Sequence, residues 1–256
     1  MIDIHSHILP NVDDGAGSLE EGLRMAERAV NDGIREMVAT PHSLDGVYVN
    51  CVDDILAGVA QFRCALSANH LDLELHPGGD VHLSTHMVQR IQTQEVCTLN
   101  NMGKFILLEL PSQMIPNGVK DEIFSLKLNG ITPIITHPER NLMVQHDPET
   151  LYELVEMGAL AQVTAMSLTG DFGEVIFHVS ERLMKHRLIH IIATDAHSAE
   201  DRPPVLSGAV ERAADILKSY DEALHMVTQV PAAILSGRTP DVPEPMHVKR
   251  TGRTAA

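Results

Sequence analysis

The opening residues Ile2-Asp3-Ile4-His5-Ser6-His7 place two imidazoles two positions apart. Side chains of an extended strand alternate faces, so His5 and His7 fall on one side with Asp3, and Ile2 and Ile4 on the other. Two imidazoles at that spacing can grip one divalent ion without bending the chain, and Asp3 is better suited to orienting a histidine than to binding metal. The pattern recurs. Val38, Thr40 and His42 end in an imidazole; Phe105, Leu107 and Glu109 in a carboxylate; Pro133, Ile135 and His137 in an imidazole. Ile191, Ala193, Asp195 and His197 end in a carboxylate and an imidazole at the same spacing as His5 and His7. Any one of these residues alone reads as a satisfied core or surface group. Together they do not, because a buried Glu109 or Asp195 without a neighbouring cation is costly.

Two loops add carboxylates. Asp13-Asp14-Gly15 follows the first run and reads either as an Asx turn or, through Asp14, as a further ligand. In Pro77-Gly78-Gly79-Asp80 the glycines would let the chain kink so that Asp80 faces the same place. His5, His7, Asp14, His42, Asp80, Glu109, His137, Asp195 and His197 outnumber the roughly four to six positions around one ion. A centre of two or three ions follows, with Asp80 and Glu109 as candidate bridges. Such centres activate water near neutral pH and offset the charge of an in-line displacement at phosphorus. Arg140, after His137-Pro138-Glu139, and Arg202, after Asp195-Ala196-His197, could neutralise phosphate oxygens with their planar forks or could be ordinary surface charges.

These residues need a scaffold that brings them together. Short β-branched runs at 2–7, 36–40, 73–76, 105–110, 132–136, 160–164 and 190–194 alternate with helical patterns at 18–32, 53–69, 118–129, 148–157 and 173–186. Ser18 with Glu21 resembles a capping box, and Gly33, Gly130 and Gly158 suit helix ends. Repeated βα units predict an α/β fold with a parallel sheet, closed or nearly closed as a barrel, whose C-terminal strand ends form the active rim. An open doubly wound sheet is the alternative. Two further helical patterns, 205–219 and 222–235, precede a proline-rich segment with a basic end. The expected organisation is one domain over residues 1–236 and a disordered tail over 237–256.

The 256 residues carry a formal net charge of -16, from 35 Asp and Glu against 19 Lys and Arg, with 15 His. That balance opposes binding to nucleic acid or anionic lipid. Part of it fits a solvated surface, and part fits an interior neutralised by bound cations. No apolar run approaches the roughly 18 residues of a membrane helix, and the N-terminus lacks a signal pattern, so a cytoplasmic protein without membrane insertion is expected. Cys51, Cys64 and Cys97 have no Arg six positions downstream, which excludes the Cys-x5-Arg phosphatase loop; they read as small hydrophobes.

The segments MIDIHSHILPNVDDGAGS, VATPH, LLELP, ITPIITHPERN and IIATDAH, in that order, resemble the polymerase-and-histidinol-phosphatase (PHP) superfamily. Within it the chain is similar to the manganese-dependent bacterial tyrosine phosphatases of capsule and exopolysaccharide operons, the CpsB/YwqE type. The resemblance implies a distorted seven-stranded (β/α) barrel of the TIM-like, PHP type and a trinuclear site, usually assigned Mn²⁺, with Fe, Co, Zn or Mg as substitutes. It carries the metal-binding positions onto the nine His, Asp and Glu residues named above and the phosphate-side arginines onto Arg140 and Arg202. It implies as substrate the phosphotyrosine tail of a membrane-linked tyrosine autokinase. Asp80 departs from the family pattern, standing one methylene shorter than the usual Glu. Two other readings keep the same residues: a PHP phosphatase for histidinol phosphate or a nucleotide, and a metal-stabilised module that docks a kinase without catalysis.

Overall fold

The computed structural model describes residues 1–248. Its strands are β1 (Ile2–Ser6), β2 (Glu36–Ala39), β3 (His42–Ser43), β4 (Glu74–Pro77), β5 (Asp80–His82), β6 (Phe105–Glu109), β7 (Thr132–Thr136), β8 (Leu160–Thr164) and β9 (Ile191–Ala193). Every pairing is parallel, in the orders β1-β2-β4 and β3-β5-β6-β7-β8-β9. β2 and β3 are two pieces of one strand interrupted at Thr40-Pro41, and β4 and β5 are two pieces interrupted at Gly78-Gly79. The ring then returns on itself: Asp195 N–H donates to His5 O at 2.9 Å, and His7 N–H to Ala196 O at 2.8 Å. The result is a distorted seven-stranded (β/α) barrel rather than an open sheet. The distortion sits in the bent strands and in the short β9–β1 seam.

Strand alternation sorts the apolar side chains into two layers. Ile4, Val38, Leu107, Ile134, Leu160 and Ile191 fill the barrel interior. Met37, Leu75, Ile106, Ile135, Val163 and Ile192 face outward, packed with helical residues such as Met25, Phe62, Ile123 and Leu183. Val230, Ile234 and Leu235 of the helix Gln229–Leu235 join the interior layer from the N-terminal end of the strands, where Ile2 N–H donates to Val227 O. One end of the barrel is thus closed by hydrocarbon, which leaves the C-terminal end for polar chemistry.

Helices form where their termini are satisfied. Ser18 accepts from Glu21 N–H at 3.1 Å and caps Leu19–Asp32, and Gly33 ends it at φ 92°. The capping box is only half made: the Glu21 carboxylate turns away to accept from Ala199 N–H at 2.7 Å. The pattern at 222–235 resolves into two helices, Tyr220–His225 and Gln229–Leu235. Short helices at Met87–Gln92, Leu142–His146 and Ala165–Thr169 have too few turns to show a period.

The expected disordered tail needs correction over its described part, residues 237–248. Met246 N–H donates to His186 O at 2.8 Å, Val248 N–H to Glu149 Oε2 at 2.9 Å, and Val248 is buried. Its prolines exclude helix and sheet, yet side-chain and backbone partners elsewhere hold the extended path. The remainder of that expectation, residues 249–256, lies outside the described residues. No helix among the described residues is long and apolar enough to cross a membrane.

Candidate metal centre

All nine predicted donors converge at the C-terminal mouth, although not by the simple alternation expected. In β1 the pairing register slips between Asp3 and Ser6. Ile2 and Ile4 sit in the barrel interior, on the side that was expected for His5, and the slip after them lets both histidines reach the mouth as well. Asp3 does not orient a histidine ring. It is buried in the β1–β9 seam, accepting from Thr194 N–H at 3.0 Å and Thr194 Oγ1–H at 2.5 Å.

β7 breaks the pattern in the other direction. Ile134, not Ile135, faces the interior, so a regular strand would aim His137 outward. His137 instead adopts φ 33° and ψ 52°, and this left-handed step turns its ring back toward Glu109, with Nε2 3.6 Å from Oε1. Asp195 also has positive φ, at 51°. Non-glycine residues held in that region cost of order 1–3 kcal/mol each. Here both are donors of the mouth.

Glycines contribute by letting backbones approach. A Cβ on Gly15 would lie 2.1 Å from His7 O, so the Asp13-Asp14 loop can fold over His7 only with glycine there. Neither Gly78 nor Gly79 needs positive φ; a Cβ on Gly78 would meet Val38 Cγ1 at 2.7 Å. The expected kink before Asp80 is thus a matter of close packing.

Three imidazoles have their Nδ1 committed to an oxygen. His5 donates to Gln162 Oε1 at 3.0 Å, His7 to Asp13 Oδ2 at 2.6 Å, and His197 to Asp195 O at 2.9 Å. Each therefore presents Nε2 to the mouth, the arrangement that orients metal-ligating histidines. His5 Nε2 and His7 Nε2 stand 3.2 Å apart. Two such lone pairs facing each other require a cation or a proton between them.

Around them, His5 Nε2 lies 3.6 Å from Asp80 Oδ2 and 3.4 Å from Asp195 Oδ1, and His7 Nε2 lies 3.3 Å from the same Asp195 oxygen. Asp14 Oδ1 lies 3.6 Å from His42 Nε2 and 3.4 Å from His197 Nε2. His42 Nδ1 lies 3.3 Å from Asp80 Oδ2 and 3.8 Å from Glu109 Oε2. Donors held about 2.1 Å from one ion in a tetrahedron stand about 3.4 Å from each other, so these separations suit ligation better than hydrogen bonding. Three donor groups overlap: His7, Asp14, His42 and His197; His5, His7 and Asp80; and His42, Asp80 and Glu109. His7, His42 and Asp80 each belong to two. Asp80 Oδ2 and His42 Nδ1 are buried without a hydrogen-bond partner. Orphaned donors of this chemistry fit a bound metal.

The electrostatics agree. Burial pushes His5 down, and burial followed by the Arg140 charge pushes His137 down to about 3. Both remain neutral, the form that ligates metal. Burial also opposes charge on His7, but Asp13 and Asp195 outweigh it and raise the group to about 10. Asp195, despite burial, is held well below the usual carboxylate range, with the hydrogen bond to His7 and the Arg140 charge as its standing partners.

The two arginines reach the same carboxylate from its other side. Arg140 Nη1 donates to Asp195 Oδ2 at 2.5 Å, and Arg202 Nη2 to the same oxygen at 2.6 Å. Asp195 thus turns one oxygen to the histidines and the other to the arginines. Buried Glu139 fixes the Arg140 turn by accepting from Ser167 Oγ–H and Thr164 N–H. Arg202 is held by a tight loop, with His197 N–H donating to Arg202 O at 3.0 Å. His5 and Asp80 are fully buried, whereas the Arg140 and Arg202 side chains are 32% and 28% exposed. His5 and Asp80 thus lie deep, while the arginines and the 53% exposed Asp14 lie at the opening.

Sequence reading missed Asp13, Gln162, His82 and Phe172. A polar Gln162 facing inward from an apolar strand was a usable signal. Asp13 was masked by its Asx turn, which is real: Gly15 N–H donates to Asp13 Oδ1 at 3.0 Å while Oδ2 holds His7. His82, 3.5 Å from Glu109 Oε2, and Phe172, beneath both arginines, come from pieces with no legible alternation.

Comparison with known proteins places this geometry in a family. YwqE of Bacillus subtilis, named a tyrosine-protein phosphatase, is 36% identical over 252 residues, which cover 98% of this chain and 97% of that one. CpsB of Streptococcus agalactiae serotype V, also named a tyrosine-protein phosphatase, is 29% identical over 214 residues, covering 82% of this chain and 88% of its own. A crystal structure from work on YwqE and on CpsB of Streptococcus pneumoniae, described there as metal-dependent tyrosine phosphatases, superposes with TM-score 0.93 at 36% identity, covering 98% of this chain and 100% of that one. A β-aspartyl dipeptidase from Fervidobacterium islandicum shares the fold alone, at 15% identity and TM-score 0.57, over 97% of this chain and 76% of its own. The CpsB/CapC model for capsular polysaccharide synthesis matches residues 1–236, and the chain belongs to that family.

Proposed function

We propose that this chain is a metal-dependent protein-tyrosine phosphatase of capsule or exopolysaccharide synthesis, carried by one domain over residues 1–236. The observation that carries the reading is the division of Asp195 between buried histidines and two mouth arginines. His5, His7, Asp14, His42, Asp80, Glu109, His137, Asp195 and His197 are the proposed ligands of two or three divalent ions, with Mn²⁺ as the working metal. Bound there, the metal would supply an activated water and charge neutralisation at phosphorus.

The chain's own residues do the rest. Asp13 and Gln162 hold the His7 and His5 rings in the tautomer that leaves Nε2 free. Arg140 and Arg202 exchange Asp195 Oδ2 for non-bridging phosphate oxygens, which keeps the phosphate against the deep donors. A tyrosyl leaving group, with pKa about 10, departs with less help from an acid than an alkyl alcohol. Because the arginines lie at an open mouth, the phosphate can arrive on a side chain of another protein. The proposed substrate is the phosphotyrosine tail of a bacterial tyrosine autokinase, and the proposed compartment is the cytoplasm.

Elemental analysis of the purified full chain, paired with turnover of a phosphotyrosyl peptide, tests this. Chelation should abolish turnover, and Mn²⁺ should restore it better than Mg²⁺, since imidazole favours the softer ion. Full turnover by metal-free protein would refute the reading, and much faster hydrolysis of histidinol phosphate or a nucleotide would move the substrate class.

A further inference from the structure

Phe172 is a large aromatic side chain that joins neither apolar cluster of the fold. It stands in the turn between the helices Ala165–Thr169 and Glu174–Lys185, flanked by Gly170 at φ 91° and Gly173 at φ 93°. That turn is tied by its own backbone: Asp171 N–H donates to Met166 O at 3.1 Å and Gly173 N–H to Gly170 O at 2.9 Å. The ring is therefore presented on a fixed stalk. What it meets are the Arg140 guanidinium, 5.5 Å from its centroid, and the Arg202 guanidinium, at 6.0 Å.

Both guanidinium groups share one Asp195 oxygen, and two like charges on one acceptor repel each other. Arg202 keeps one further bond, from Nη2 to the Asp195 backbone O at 3.0 Å, but its Nε–H is buried without an acceptor and Arg140 has no such second anchor on Asp195, so hydrogen bonding does not lock the pair. When a phosphate takes N–H groups now spent on Asp195, that shared anchor weakens. A ring face carries negative quadrupole charge and keeps its attraction for both cations whether phosphate is present or not.

We propose that Phe172 is a positioning residue whose ring holds Arg140 and Arg202 as a pair for the non-bridging oxygens of the substrate phosphate. The inference rests on the phosphatase reading above and adds a residue outside the expected donor and arginine set.

The test uses the full chain loaded with Mn²⁺, with Phe172→Leu, which keeps apolar bulk, and Phe172→Tyr, which keeps the ring. Inorganic phosphate binding is measured by calorimetry, beside metal content, melting temperature, and kcat and KM on a phosphotyrosyl peptide. Removing the ring's attraction for both cations should weaken phosphate binding and lower kcat/KM about tenfold in Phe172→Leu, while Phe172→Tyr stays within about twofold of the parent. Metal content and melting should stay level in both. Unchanged phosphate binding in Phe172→Leu, an equal loss in Phe172→Tyr, or loss of metal would each overturn the proposal. A parent protein that binds phosphate but does not hydrolyse the peptide would sink the phosphatase reading while the phosphate comparison still decides the role of Phe172.

Discussion

Replacing Asp13 by Asn changes one atom type at a residue outside the expected donor set, which makes it a sharp probe of the mouth. Asp13 Oδ2 accepts from His7 Nδ1 at 2.6 Å and from His42 N–H at 3.1 Å, while Oδ1 accepts from Gly15 N–H at 3.0 Å. All three partners are donors. An amide offers one oxygen and sets its NH₂ against the remaining N–H groups, so at least one charge-assisted bond is lost. Hydrogen bonds to charged groups contribute about 1.5–3 kcal/mol, which corresponds to roughly 10- to 150-fold. The independent expectation for losing a partner of a ligating histidine is about 10- to 100-fold in metal affinity. The two ranges overlap near 30-fold, or about 2 kcal/mol. The assay is Mn²⁺ titration against a competing chelator at fixed pH, with melting curves with and without metal. Asp13→Asn should bind Mn²⁺ about 30-fold more weakly and gain less melting temperature from it. An affinity within about threefold of the parent would refute the claim that Asp13 sets the His7 ring. A metal-free protein that no longer folds would show that the Asx turn matters more than the ring.

Other perturbations separate the parts of the mouth. His7→Ala and His42→Ala should abolish turnover with the fold retained, checked by circular dichroism beside peptide hydrolysis; global unfolding would make these residues structural. Arg140→Ala should lose about 100-fold in kcat/KM with bound metal unchanged, and a large fall in metal content would give Arg140 a different role. His190, whose Nδ1 accepts from Ala161 N–H at 3.0 Å, is pushed by burial from 6.5 to about 4. Between those values the unfolded chain binds the extra proton, so stability falls with acidification, by about 2 kcal/mol at pH 5 from this group. Urea melts at pH 7 and pH 5 should show His190→Asn losing less on acidification than the parent; equal losses would refute the assignment.

The βα order, the barrel class and the nine candidate donors were legible because most strands are short apolar runs, five of which carry a donor at or near an end, and a period of two is visible over five residues. The Ser18 cap and the glycine stops at Gly33, Gly130 and Gly158 were legible for the same local reason. Alternation failed at β1 and β7. A bulge and a left-handed residue change which way a side chain points without changing the residue pattern, and both are set by pairing with neighbouring strands. The 222–235 pattern hid a break, and the proline-rich segment 237–248 looked like a tail because its partners, His186 and Glu149, are distant in sequence.

The sequence alone determined which chemistry was available: imidazoles, carboxylates and two guanidinium groups at the ends of apolar runs. Tertiary structure alone decided their division of labour. Asp13 rather than Asp3 orients a ring, Gln162 fixes another, and the two oxygens of Asp195 face different partners. Those assignments depend on distances of about 3 Å between residues as distant in the chain as His5 and Gln162 or His7 and Asp195. Only closure of the barrel, which joins β9 to β1, brings such groups within hydrogen-bonding and ligating range.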